Sequence, residues 1–189
     1  MLHIEDNIMI FMWRTRQAMA IRKILYLPDD RLRKIAKPVE QFDADLQTLI
    51  DDMFETMYHA NGVGLAAPQI GISLRLSVID VIGDKKNQIV IINPEIISSS
   101  GEKEFDEGCL SVPGAYDTVV RAEKVTVKAV DRQGQSFEIS GEGLLGECLQ
   151  HEIDHLNGKL FVDLLSPLKR MMARRKLDKY KRRQHGRKS

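Results

Sequence analysis

The sequence predicts an α+β fold in a single domain, with mixed or antiparallel sheets around a central helix and a further helix at the C-terminus. Two observations support this prediction. Strand-like runs are grouped in the middle of the chain and few helical segments bracket them, a pattern typical of α+β proteins. The length of 189 residues and the apolar share of 43% suit one compact domain with an ordinary hydrophobic core.

Three segments show the features of helices. Apolar residues at helical spacing predict a helix over about 42–59, and the sequence Asn61-Gly62-Val63-Gly64 ends it. The repeat consists of Leu46, Leu49, Ile50, Met53, Phe54 and Met57. A second helix is predicted over about 143–157, with Gly158 suited to end it. A third is predicted to begin near Pro167, a favoured first-turn residue, and to continue into the C-terminal segment.

Strand-like runs occupy the region between the first two helices. They cover residues 74–81, 89–93 and 119–131, and in the last run apolar and polar residues alternate. Gln133-Gly134 is a turn sequence that leads into a further run at 136–139. The runs on either side of this turn are therefore predicted to form a hairpin.

The net charge of +1 conceals an uneven distribution of charge. Residues 169–189 contain eleven Lys or Arg and one acidic residue, Asp178, which leaves a net charge of −9 on residues 1–168. An acidic body argues against a general nucleic-acid-binding protein, whereas the basic tail could bind phosphate groups or be a solvated helix end. Four tail residues are expected to pack part of the helix onto the body: Met171, Met172, Leu177 and Tyr180.

Cysteine usage and hydropathy indicate the compartment. The two cysteines, Cys109 and Cys148, are fewer than a disulfide-stapled secreted domain usually carries. The apolar run at 8–13 is too short to span a bilayer, and it lacks the basic flank and the small-residue cleavage site of a signal peptide. A soluble, cytoplasmic protein without membrane contact is therefore predicted.

The sequence His151-Glu152-Ile153-Asp154-His155 matches the H-E-x-x-H pattern of metal sites. Residues four apart on a helix project within about 40° of each other, so both imidazoles can face one ion. Glu152 lies on the same side, near enough to act on water at the metal without being a ligand. The alternative is a pair of histidines whose hydrogen bonds are satisfied inside a buried helix.

A hydrolytic metal site usually has three protein ligands and one open position. Cys148 lies on the same helical face, but it is about 10 Å along the axis from His155, which makes it hard for both to reach one ion. Cys109 comes from another segment and follows Gly108, and it is the better candidate for the third ligand. Cys148 is then interpreted as a small buried apolar residue. One thiolate and two imidazoles suit zinc, iron, nickel or cobalt.

Three motifs stand in order along the chain. They are Gly62-Val63-Gly64-Leu65-Ala66-Ala67-Pro68-Gln69, Glu107-Gly108-Cys109-Leu110-Ser111 and His151-Glu152-Ile153-Asp154-His155. Together they resemble the signature motifs of peptide deformylases of the bacterial, iron-dependent type, and the resemblance extends over about 21–169. It implies a metal-dependent amide hydrolase that removes the N-terminal formyl group from newly made polypeptides and releases formate.

The resemblance also implies roles for individual residues. A ferrous ion, for which zinc, nickel or cobalt can substitute, would be bound by Cys109, His151 and His155. Glu152 would be the general acid/base, and Gln69 with the backbone N–H of Leu110 would stabilise the developing oxyanion. The alternative for Gln69 is an amide that caps its own loop. Gly64 would pair with the substrate backbone as if adding a strand.

By the same resemblance, a pocket is expected for the methionine side chain of the substrate. Its lining would be Val63, Phe105, Leu144, Glu147 and Cys148. Glu147 departs from the family pattern, which often has an aliphatic residue at this position. Because an unpaired buried carboxylate is costly, Glu147 is expected to turn its head to solvent and to offer only its stem.

The resemblance divides the chain into three parts. Residues 1–20 are an N-terminal appendage outside it, and Met19 precedes the resembling part as a natural start of translation would. Residues 21–168 are the catalytic domain, and residues 169–189 form a basic C-terminal helix or tail. Since deformylases act on nascent chains, the tail is expected to bind RNA phosphate on the ribosome near the exit tunnel.

Two other classes of protein share some of these features. A zinc endopeptidase would normally take a third ligand, His or Glu, downstream, but the histidine that follows His155 is His185 in the basic tail. It would also cleave casein, whereas a deformylase would cleave a formylated dipeptide. The second alternative is not an enzyme but a structural metal-binding protein, or an RNA-binding protein that uses the tail. A structural zinc site usually has four protein ligands, and the sequence offers three good ones.

Overall fold

The structure is a computed structural model that describes residues 20–185. The predicted N-terminal appendage therefore lies, apart from Ala20, outside the described residues, and so does the proposed start at Met19. The described range contains three α-helices, which are α1 (Ala44–His59), α2 (Gly143–Leu156) and α3 (Pro167–His185). None of the helices in this range is long and apolar enough to cross a bilayer.

Seven strands form two antiparallel sheets within residues 20–185. The strands are β1 (Gly64–Ala66), β2 (Leu76–Ile79), β3 (Ile89–Ser100), β4 (Lys103–Gly108), β5 (Tyr116–Arg121), β6 (Lys124–Val130) and β7 (Ser136–Glu142). Five of them pair in the order β1-β2-β3-β6-β7, and β4 pairs with β5 separately. The prediction of an α+β fold is confirmed, and both sheets take the antiparallel form.

The helices begin and end close to the predicted positions. The first helix was predicted to start at about residue 42, and its N-cap is Asp43, whose side chain accepts a hydrogen bond from the Leu46 N–H at 2.9 Å. Helix α2 ends at Leu156, and Gly158 follows in the left-handed conformation with a φ of 71°. The hairpin around Gln133-Gly134 is confirmed by the pairing of β6 with β7.

The prediction of one strand over 119–131 is wrong. This run contributes to β5 and β6, which belong to different sheets. Strand β4 was not predicted at all, because its sequence is mostly charged. Its Phe105 and Glu107 are nevertheless the buried residues of an alternating strand, and Glu107 is fully buried although it is an acid. A pattern based on apolar residues cannot detect such an alternation.

Helix α2 is central because elements pack on it from several sides. Its Cys148, Leu149 and Ile153 pack against an apolar layer from the large sheet. That layer consists of Ile79, Ile91, Val125, Val127 and Ala129. Helix α1 covers another part of the sheet, and α3 packs with its Ala173 and Leu177 against residues that follow β4 and α2. The polar residues of α2 are therefore held in fixed positions.

Candidate active site

Helix α2 carries His151 and His155 one turn apart, with ring centroids separated by 5.0 Å. Cys109 lies in the loop after β4, and its Sγ is 3.2 Å from His155 Nε2. The ligand atoms of the three residues all lie within 4.8 Å of one another. The structure thus brings together the three side chains that the sequence predicts as metal ligands.

The chemistry of this cluster fits a transition metal. Thiolate and imidazole are the donors that zinc and iron accept in proteins. Cys148, in contrast, lies 3.8 Å from the Val63 carbonyl oxygen and packs with the apolar layer of the sheet. Burial raises the pKa of the Cys148 thiol well above its usual value, which disfavours the thiolate that a metal requires. The cysteine suited to a metal is therefore Cys109.

A buried hydrogen-bond network orients His151. Its Nδ1 lies 2.8 Å from Glu107 Oε2, and Glu107 also accepts two hydrogen bonds from Arg121. Arg121 in turn donates to Asp154 at 2.8 Å, so it joins the β4–β5 sheet to α2. Burial alone would raise the pKa of Glu107, but the hydrogen bonds from His151 and Arg121 outweigh it and hold this pKa below its usual value. With Nδ1 engaged, Nε2 of His151 is left for a metal.

Sequence reasoning missed the three residues that join His151 in this network, which are Glu107, Arg121 and Asp154. Glu107 stands two residues before the candidate ligand Cys109, in the same motif, and that proximity was the available signal. Asp154 lies within the H-E-x-x-H motif, next to His155, and had the same signal. Arg121 had none, because a lone arginine at the end of a strand usually faces solvent. Their roles emerge from the pairing of β4 with β5 and from the docking of α2.

Replacing Arg121 by lysine is expected to weaken metal binding about tenfold to a hundredfold, the usual effect of losing a partner that orients a ligand. An ammonium group cannot donate to Glu107 and Asp154 in the way that the planar guanidinium does. Competition with a chelator would measure the affinity. The matched control is Arg132→Lys, in a surface ion pair with Asp51. Equal affinities for both variants would contradict the orienting role.

Glu152 is buried at the cluster and faces Gly64. Its Oε2 has no hydrogen-bond partner in the described part of the chain, and burial raises its pKa to about 7. A Cβ built on Gly64 would lie 2.7 Å from Cys148 Sγ and closer still to the Glu152 carboxylate. Only glycine therefore allows β1 to approach α2 so closely. A carboxyl group with a pKa near neutrality can both accept and return a proton.

The amide of Gln69 is fixed with its nitrogen towards Cys109. Its Oε1 accepts a hydrogen bond from the Ala66 N–H at 2.8 Å, and its Nε2 lies 3.2 Å from Ser111 Oγ and 3.7 Å from Cys109 Sγ. Gln69 thus caps its own loop and also presents a donor to the site. The N–H of Leu110 has no hydrogen-bond partner among residues 20–185, which leaves it available to a ligand.

A cleft of about 1350 Å³ opens onto the cluster. Of the residues predicted for the methionine pocket, four line it: Val63, Leu144, Glu147 and Cys148. Gly64, Gln69 and Leu110 line it as well. Phe105 is not among the lining residues, and its neighbour Asp106 takes that place. Phe105 shares the buried side of β4 with Glu107 and has 8% of its surface exposed, because side chains alternate along a strand.

Glu147 does not turn fully to solvent as expected. Its side chain is half-buried at the wall of the cleft, and burial raises the pKa of its carboxyl group above the usual value, helped by the charge of Glu107. The position is one turn before His151 on α2, so it belongs to the helical face that borders the cluster.

The family model described as polypeptide deformylase matches residues 21–171. The chain belongs to this family. The enzyme is therefore a metal-dependent hydrolase that removes the formyl group from the N-terminal methionine of newly made polypeptides. The predictions of family, fold and reaction are confirmed, and the endopeptidase and non-enzyme alternatives are wrong.

Solved structures of other deformylases resemble the enzyme closely. A peptide deformylase from Legionella pneumophila is 84% identical, with a TM-score of 0.87 over 88% of this chain and 98% of that one. One from Synechococcus elongatus, in complex with actinonin, is 43% identical, with a TM-score of 0.80 over 87% and 90%. One from Thermotoga maritima is also 43% identical, with a TM-score of 0.74 over 78% and 99%.

Proposed function

We propose that the enzyme performs deformylation in the cytoplasm with Fe²⁺ held by Cys109, His151 and His155. The observation that supports this assignment is the approach of the three ligand atoms to within 4.8 Å at the end of the cleft. When bound, the metal supplies Lewis acidity, which polarises the formyl oxygen and makes water more acidic. Zinc, nickel and cobalt accept the same donors.

Glu152 is the group that moves protons in this proposal. It takes a proton from water as a C–O bond forms to the formyl carbon, and it returns that proton to the amine as the C–N bond breaks. The products are formate and a free N-terminus. The absence of a protein partner for Oε2 among residues 20–185 leaves this oxygen available for water.

Gln69 and Leu110 stabilise the charge that develops on the formyl oxygen. Both offer N–H donors beside Cys109, and hydrogen bonds that strengthen only in the tetrahedral state lower the barrier. Gly64 holds the substrate backbone. Strand β1 is the edge of the five-stranded sheet, so a peptide can pair with its outer side as an added strand.

The methionine side chain of the substrate is assigned to the part of the cleft lined by Val63, Leu144 and Cys148. These residues offer apolar surface, and the stem of Glu147 adds to it. The half-buried carboxylate makes this wall more polar than an aliphatic residue would.

The experiment that tests the function measures formate release from a formyl-Met dipeptide by protein purified without oxygen. Metal content is determined on the same sample. The enzyme is expected to cleave the dipeptide and to leave casein intact. Failure to release formate from a sample that contains one metal ion per chain would contradict the proposal.

The iron-loaded enzyme is expected to lose activity in air faster than the nickel-loaded enzyme. A reduced metal beside a partly exposed thiolate favours oxidation of the iron, of Cys109 or of both. Residual activity after aerobic incubation of the two forms is the measurement. Equal rates of loss would contradict an iron-linked inactivation.

The basic face of α3 is proposed to dock on ribosomal RNA near the exit tunnel. Six of its basic residues are exposed, and their side chains make no hydrogen bond or ion pair in the described part of the chain: Arg174, Arg175, Lys176, Lys179, Arg182 and Arg183. Lys169 and Arg170 differ, because they bind Asp117 and backbone carbonyls of the body. An acidic body with one cationic face orients itself on a phosphate surface.

Neutralising this face is expected to weaken ribosome binding and its dependence on salt. The variant carries Arg175→Gln, Lys179→Gln and Arg182→Gln, which leave the buried side of α3 unchanged. Each lost phosphate contact lowers the salt slope of the binding constant by roughly one unit. Ribosome pelleting across a salt series measures both quantities, with Lys128→Gln on β6 as the control. Identical pelleting would mean that the tail is only a solvated helix end.

A further inference from the structure

A second cavity, of about 330 Å³, lies between residues 27–33 and the C-terminal helix, and it shares no lining residue with the catalytic cleft. Its volume falls within the roughly 300–1000 Å³ typical of sites for small ligands. Four lining residues are apolar and four are charged: Leu27, Pro28, Val162 and Leu177, and Arg33, Arg170, Arg174 and Asp178. Val162 and Leu177 are buried and form an apolar floor. The cavity thus combines an apolar surface with an excess of positive charge.

The arginines of the cavity are arranged to bind an anion. The Arg170 guanidinium is held by three backbone carbonyls at 3.0 to 3.2 Å, and Arg33 forms a bidentate ion pair with Asp163. Arg174 follows Arg170 by one turn of α3, and its side chain makes no hydrogen bond or ion pair within residues 20–185. Its N–H groups are therefore available, and their planar arrangement matches the oxygens of a phosphate group.

Asp178 narrows the chemistry of the ligand. It lies one turn after Arg174 in the lining, and its carboxylate has no hydrogen bond or ion pair in the described part of the chain. This carboxylate repels a simple anion but accepts a hydrogen bond from an N–H group. The ligand that satisfies both residues carries an anionic group for Arg174 and an N–H donor for Asp178.

A nucleotide whose base has an exocyclic amino group meets these requirements. Its phosphate can accept hydrogen bonds from Arg174, and its amino group can donate to Asp178, as the amino group of cytosine does to carboxylates. Unstacked bases of single-stranded RNA are bound against apolar surfaces and guanidinium planes, both of which the cavity offers.

The position of the cavity favours RNA over a free nucleotide. Arg174 belongs both to the cavity and to the basic face of α3, which continues with Arg175 and Lys179. A strand whose phosphates follow this face therefore passes the mouth of the cavity. We propose that the cavity binds an unpaired cytidine or adenosine nucleotide of the RNA on which this face docks. The proposal rests on the docking to ribosomal RNA proposed above.

The test titrates the metal-loaded enzyme with CMP, UMP and inorganic phosphate and follows the methyl NMR signals of Val162 and Leu177, which line the cavity. CMP is expected to bind more tightly than UMP, whose base has the same size but lacks the amino group, and more tightly than phosphate. Arg174→Gln should weaken CMP binding about tenfold to a hundredfold, as for the loss of hydrogen bonds to a charged group.

Two further variants make the test specific. Asp178→Asn should reduce the preference for CMP over UMP about twofold to tenfold, the effect of one hydrogen bond. Arg175→Gln removes the same charge from an exposed neighbour outside the lining, and it should leave CMP binding unchanged.

Four outcomes would overturn the nucleotide pocket. They are equal affinities for CMP and UMP, phosphate binding as tight as that of CMP, equal losses in Arg174→Gln and Arg175→Gln, and tighter binding of free methionine, whose carboxylate and ammonium groups present the alternative pair of charges. Failure of the unmodified enzyme to pellet with ribosomes, although CMP binds at the cavity, would instead contradict the docking proposal, so the two failures are distinguishable.

Discussion

Replacement of Glu152 by glutamine is expected to lower kcat for a formyl-Met peptide about a hundredfold to ten-thousandfold, the usual contribution of a general acid/base. Glutamine keeps the size of the side chain that faces Gly64, so packing at this point is preserved. It removes the group whose pKa of about 7 suits proton transfer. The measurement is kcat together with metal content, which should remain at the level of the unmodified enzyme.

The control for this variant is Glu138→Gln, which removes an exposed carboxylate from β7. It is expected to leave kcat unchanged. Activity of Glu152→Gln close to that of the control would exclude Glu152 as the group that moves protons. If Glu152→Gln lost its metal, the fall in kcat would instead reflect weaker metal binding.

Replacement of Cys109 by serine is expected to remove most of the metal and, with it, the activity. A hydroxyl group is a poor substitute for a soft thiolate. The metal affinity should fall by more than the roughly tenfold to hundredfold that the loss of an orienting partner causes. Metal content after dialysis against a weak chelator, measured beside formate release, tests this expectation.

Cys148→Ser is the matched control, because Cys148 is the second cysteine of the chain and lies in the same cleft. Its metal content is expected to stay unchanged, since its Sγ contacts the Val63 carbonyl and is held as a neutral thiol by burial. A buried hydroxyl in place of the thiol costs about 1–3 kcal/mol of stability. Metal loss that follows Cys148 rather than Cys109 would reverse the assignment of the third ligand.

Local sequence signals predicted the parts of the site that lie on one element. The H-E-x-x-H pattern places both histidines and Glu152 on α2 because helical geometry alone decides their relative positions. Cys109 was predicted by excluding Cys148 on distance along the helix. In the same way, Pro167 marked the start of α3.

Features that depend on pairing between distant segments were not predicted. Glu107 and Arg121 form a buried ion pair that exists only because β4 pairs with β5, and charged residues in sequence are normally assigned to the surface. Phe105 was expected in the methionine pocket; it lies on the buried face of β4 with Glu107 and is not among the residues that line the cleft.

The packing of α3 was predicted only in part. Leu177 is buried as expected, whereas Met171 and Met172 are 44% and 49% exposed and Ala173 is buried in their place. An alanine within a strongly basic helix gives little hydrophobic signal, so the inward face could not be located from the sequence. A protein that ended at Lys176 would therefore lack Leu177, which is part of the core under α3.

The core under α3 has a practical consequence for protein engineering. It joins Ala173 and Leu177 to Val112 and Phe161, and Cys109 packs against the same cluster. The helix is thus a structural neighbour of a metal ligand rather than a separable module. Transplanting or exchanging the helix would therefore disturb the loop that positions Cys109.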